Sequence, residues 1–168
     1  VEFTQSSKVN AKVTIPSELK ECVKVYYENG TIHVEHTGSK NISNNSEDIK
    51  LYVSGPTLEA LTLSGASSAK ITSLKQNEGL SLDCSGASNV SMGSFESKGR
   101  LYVDFSGACN LALGNLNAGD LTLDVSGASN TAFKSVMAKN VEIDLSGASK
   151  ISLNGTAAKV TADVSGCS

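Results

Sequence analysis

The tripeptide Ser-Gly-Ala begins at Ser64, Ser85, Ser106, Ser126 and Ser146, and a variant, Ser165-Gly166-Cys167, follows. The intervals are 21, 21, 20, 20 and 19 residues. A phrase returning at this near-constant spacing means stacked units, none of which can bury a core alone. Before each phrase the chain alternates: Leu80, Leu82, Cys84; Leu101, Val103, Phe105; Leu121, Leu123, Val125; Val141, Ile143, Leu145; Val160, Ala162, Val164. After it comes a second alternation: Val90 and Met92, Leu111 and Leu113, Thr131 and Phe133, Ile151 and Leu153. One more apolar column follows, Leu74, Phe95, Leu116 and Val136, continued by Thr156, and the drift in period falls in the connectors after it. A period of two is that of strands and excludes a helical solenoid.

Two other strand solenoids fail on spacing. Leu58-x-x-Leu61-x-Leu63 begins like a leucine-rich repeat, but the Asn or Cys required three residues later is absent, and Asn110 comes seven after Val103. Left-handed hexapeptide coils need a multiple of six that these intervals do not keep. The remaining architecture is a right-handed, single-stranded parallel β-helix, one rung per Ser-Gly-Ala unit. Gly65, Gly86, Gly107, Gly127, Gly147 and Gly166 then mark a corner repeated at the same place in every rung. Ser67, Ser88, Ser129 and Ser149 share the inward parity of Val90 and Met92, which predicts a ladder of internal hydroxyls paired to the rungs above or below.

Residues 1–47 read differently. Val1 and Phe3, then Val9, Ala11, Val13 and Ile15, predict a hairpin over residues 1–15. Pro16 to Glu21 suits a helical turn or a loop. Asn29-Gly30 between alternating runs predicts a second hairpin. Residues 37–47 are polar and turn-rich and read as a loop. The expected organisation is an antiparallel cap (1–47) on a β-helix (48–168) within one structural domain.

Composition narrows the partners. A net charge of −3 supplies no basic stripe for nucleic acid. No apolar run reaches membrane-spanning length. Cys22, Cys84, Cys109 and Cys167 lack metal-type spacing, and three of them stand in repeat columns that do not face one another, so free buried thiols are expected.

Leu61-Thr62-Leu63-Ser64-Gly65-Ala66-Ser67, its reiteration as LxLDxSGAS, the preceding Gly55-Pro56-Thr57-Leu58 and the Asn29-Gly30 hairpin together resemble the "putative auto-transporter adhesin, head GIN domain" family. The resemblance covers essentially the whole chain. It implies a right-handed β-helix in exported proteins of the periplasm, outer membrane (as lipoproteins) or cell surface, common in Bacteroidetes. It carries over no catalytic residues.

The residues themselves offer one repeated candidate site. Asp83, Asp104, Asp124, Asp144 and Asp163 stand two before each Ser-Gly, where the first repeat has Thr62. They alternate with core residues and so face outward, together with Ser85, Ser106, Ser126, Ser146 and Ser165. Three readings compete. A hard cation such as Ca²⁺ could sit on Asp104, Asp124 and Asp144 through oxygen ligands. The carboxylates could instead accept hydrogen bonds from the serines or corner amides. Or the two columns form a flat docking face for a surface protein or glycan. Favoured is a non-enzymatic binding or scaffolding module without cofactor, its open C-terminal edge covered by a partner, by an end-to-end second copy or by further residues beyond Ser168. A polysaccharide-active β-helix enzyme is the alternative class, but equivalent carboxylates do not supply distinct acid and base. His33, Glu35 and His36 form a sparse cluster on a hairpin and read as solvated.

Overall fold

The computed structural model describes residues 1–28, 30–36 and 49–167. Asn29 and the loop expected at 37–47 lie outside the described residues. The chain divides into two compact units, residues 1–10 with 53–168, and residues 11–52.

The larger unit is a parallel β-solenoid. Its lower rungs comprise β6 (Ala60–Leu63), β7 (Ser68–Gln76), β8 (Leu80–Cys84), β9 (Asn89–Ser97) and β10 (Arg100–Phe105). Above them β11 (Asn110–Val125), β12 (Asn130–Leu145) and β13 (Lys150–Val164) run extended through the connectors. Each strand pairs in parallel with its counterpart one period away: Leu101 with Leu80 and Leu121, Leu111 with Val90 and Thr131. The expected columns are therefore the hydrogen-bonded register. The inward columns fuse into one core, in which Leu82, Leu101, Val103, Phe105, Leu121, Leu123 and Val125 are completely buried. At about 1.5–3 kcal/mol for each buried aliphatic side chain, this core outweighs the polar groups it contains.

The corner glycines have positive φ. At Gly127 (φ 81°) a Cβ would also lie 2.4 Å from the carbonyl oxygen of Gly107 in the rung below, so conformation and space both demand glycine. The buried serines beside the corners are internal, as predicted, but bond to backbone. The Ser129 hydroxyl donates to the carbonyls of Gly107 (3.2 Å) and Ser126 (3.3 Å), and accepts from the Cys109 amide (3.2 Å). Ser88 and Ser149 repeat the pattern, and the Cys109 thiol takes the same position. The Gly107 carbonyl already accepts the Ala128 amide of the next rung (2.8 Å), and the hydroxyl column adds a second donor there while also reaching the Ser126 carbonyl.

Four expectations are corrected. Residues 1–15 do not form a hairpin: β1 (Glu2–Gln5) runs parallel to β7, Phe3 opposite Ile71, and its other neighbour is β5 (Lys50–Gly55). Phe3 thereby extends the core column of Ile71 and Met92. Second, Gly155 rather than Thr156 continues the Leu116–Val136 column, because the register shifts between Phe133 and Val136. The last shortening of the period is thus one residue fewer inside β13, where Asn154 alone stands against Lys134 and Ser135 of β12, not a trimmed connector. Third, Val160 and Val164, expected in the core, are 61% and 54% exposed, since no strand pairs with the outer edge of β13 among the described residues. Fourth, Cys22, Cys84 and Cys109 are buried free thiols, whereas Cys167 is exposed.

The unit of residues 11–52 holds most of β2 (Asn10–Thr14), a 3₁₀ turn at Ser17–Leu19 and an antiparallel hairpin of β3 (Val23–Glu28) and β4 (Thr31–His36). Glu28 pairs with Thr31, so the hairpin expected at Asn29-Gly30 forms, with Gly30 at φ 82°. On one face Tyr26 stacks on His33 at 4.7 Å and its hydroxyl donates to Glu35 (2.6 Å). Lys24 lies over the same ring. These contacts employ His33 and Glu35 in cross-strand pairing.

Candidate functional site

The acid column is real in three dimensions. Asp104 lies opposite Asp83 and Asp124, Asp124 opposite Asp144, and Asp144 opposite Asp163. Thr62 continues the column below Asp83. Parallel register places successive members about 4.8 Å apart. Asp83, Asp124, Asp144 and Asp163 are exposed and Asp104 is half-buried. At that spacing two carboxylates repel by about 1 kcal/mol in bulk water and severalfold more near a protein surface.

The protonation of Asp104 responds to this. Burial first, then the carboxylates of Asp124 and Asp83, push its carboxyl above the usual range, while the hydrogen-bonded Tyr102 hydroxyl pulls it back. Tyr102 is raised in turn, first by burial and then by Asp104, Asp124 and Asp83. A tyrosine two residues earlier on the same strand face is thus one local device that steadies a carboxylate in the row.

Two serines of the neighbouring column turn to the backbone. Ser126 Oγ donates to the Phe105 carbonyl (3.2 Å) and Ser165 Oγ to the Leu145 carbonyl (3.3 Å), each in the preceding rung. Ser85, Ser126 and Ser146 are half-buried, while Ser106 is exposed. The serines close the corner, and the aspartates project beyond them. Among the described residues no three His, Cys, Asp or Glu side chains converge in a way that could hold a metal ion. A straight column offers a cation ligands from one side only, whereas Ca²⁺ takes six to eight oxygens.

Around the corner lies a second feature that the sequence reading missed. An open trough of about 460 Å³ crosses the rungs, lined by Asn89, Asn110 and Asn130 on one side and Ser91, Ala112 and Ala132 on the other. The Asn110 amide donates to Asn89 Oδ1 (2.9 Å), one step of an asparagine ladder between rungs. The signal was present in the sequence, since Asn follows the corner phrase by the same offset in three consecutive repeats.

The regular solenoid with its Ser-Gly-Ala corners is matched from end to end by a family model. That model, described as "Putative auto-transporter adhesin, head GIN domain", covers residues 1–168. The chain belongs to this head GIN domain family. A search of curated proteins finds no match to it. In this GIN domain the candidate residues are outward members of repeated columns, held by a backbone that adjacent rungs over-determine. No helix among the described residues is long and apolar enough to cross a membrane.

Proposed function

We propose that this GIN domain is a non-catalytic module of the exported cell surface whose Asp83–Asp163 column docks a positively charged segment of another surface protein. The observation that carries the reading is the in-register row of outward carboxylates. Such a row pays a standing repulsion that a cationic partner relieves, and the surrounding field speeds its encounter. The adhesin description of the family supports a surface role. A neutral glycan is the less favoured partner, because Tyr102 is engaged with Asp104 and, among the described residues, no row of exposed rings offers stacking platforms along the column. An anionic glycan would meet like charge.

The reading is tested by screening the chain against lysine-rich and neutral peptides and a glycan panel at low and high salt. Binding of lysine-rich peptides that falls steeply with salt is the expected result. Salt-insensitive binding of neutral glycans, with no peptide binding, would contradict it.

A further inference from the structure

The outer edge of β13 departs from the pattern of the strands beneath it. Gly155 replaces Val136 and Ala162 replaces Ile143 in their columns, while Lys150 replaces Asn130. What remains apolar is uncovered or half-covered: Ile151, Leu153, Val160 and Val164. An edge strand with free amides and carbonyls beside an exposed apolar row is a template for strand addition.

The residues on this edge are complementary to themselves. Gly155 and Ala157 belong to inward columns, so Thr156 is the midpoint of the rung's middle segment. Place a two-fold axis through Thr156, in the plane of the rung, and the two outer segments exchange while inside remains inside. Antiparallel pairing with a rotated copy then sets Gly155 opposite Ala157. At the next corner Ala158 and Lys159 together oppose Asn154, which restores the parity. Beyond it Leu153 faces Val160, Ile151 faces Ala162, and Lys150 faces Asp163. The inward pairs Gly155–Ala157, Leu153–Val160 and Ile151–Ala162 are all apolar, Val164 falls opposite Ser149, and the outward ends meet with opposite charge, twice by symmetry. A like-charge meeting at the same place would have argued against self-pairing.

We propose that a second copy of this chain docks on the β13 edge as a two-fold, end-to-end dimer, with Lys150 of each copy paired to Asp163 of the other. The dimer continues the core across the interface and takes only Asp163 from the acid column, leaving Asp83, Asp104, Asp124 and Asp144 to the partner assigned there, on which it does not depend.

Sedimentation velocity of the 168-residue chain over a concentration series tests the proposal. A monomer–dimer equilibrium is expected. Lys150→Asp and Asp163→Lys should each weaken association by about tenfold or more, since each creates two like-charge pairs, and the double exchange should restore it. A monomer at every concentration would overturn the proposal, as would a dimer indifferent to both single changes or one that the double exchange fails to rescue. Hydrogen exchange on the unmodified chain gives an independent reading: β13 amides should gain protection as concentration rises, and unchanged protection would count equally against it.

Discussion

Asp104 and Asp124 lie directly opposite each other on adjacent parallel strands, both turned outward and both carboxylates. Asp83 extends the row on the other side, and Asp104, half-buried between them, is the member whose carboxyl is raised. A group whose folded pKa is raised binds its proton more tightly in the native state. Its contribution is therefore favourable at low pH and is lost as pH rises through the folded value. Asp104→Asn should raise the melting temperature at neutral pH, by about 2–4 °C for each kcal/mol of repulsion relieved. The difference should vanish below the carboxylate range. Melting curves from pH 3 to pH 8 check both the sign and the window, and an Asn variant less stable at neutral pH would refute the repulsion.

The corner glycines separate conformational strain from lack of space. Gly65 and Gly127 both have positive φ, but an added Cβ meets nothing within 4 Å at Gly65 and the Gly107 carbonyl oxygen at 2.4 Å at Gly127. Gly65→Ala should cost about 1–2 kcal/mol, the strain term alone. Gly127→Ala should cost clearly more, because backbone of the rung below must shift. Denaturant unfolding of the two variants measures the difference, and equal losses would mean that rung contact adds nothing.

Thr131 occupies the inward column between Leu111 and Ile151 and is completely buried, and its hydroxyl has no hydrogen-bond partner. Thr131→Val removes an unsatisfied buried group at nearly constant shape. Stability should rise by about 1–2 kcal/mol in chemical denaturation. A loss would show that the hydroxyl is satisfied in solution.

Thiol labelling distinguishes the four cysteines. Cys84 is buried, and its pKa is pushed up to about 12, by burial first and then by Cys109 and Asp83. The reactive thiolate is therefore scarce. A thiol reagent should label Cys167 rapidly in the native chain and Cys22, Cys84 and Cys109 only on unfolding. Native labelling of Cys84 at the rate of Cys167 would contradict the packed core.

What the sequence disclosed was whatever repeats. Leu101, Val103 and Phe105 announced their inward face because alternation and period specify it together, and Asp104 announced its outward column for the same reason. Phe3 was hidden because its pairing with Ile71 spans a long intervening segment and appears in one short strand only. Gly155 was hidden because counting apolar positions put Thr156 in the column, whereas the hydrogen-bond register admits a bulge. Tyr102 alternates with Leu101 and Val103 and so faces outward, but its bond to Asp104 depends on a rotamer that no spacing rule fixes.

The proposed docking places the partner on the acid column and gives net charge a secondary part. Calorimetric titration of one lysine-rich peptide into two variants separates these: Asp104→Asn/Asp124→Asn on the column, and Glu59→Gln/Glu78→Gln at exposed positions off it. Both remove the same formal charge. Affinity is expected to be at least about tenfold weaker for the column variant, a cost of about 1.4 kcal/mol, and near-native for the other. Equal losses in the two variants would contradict it.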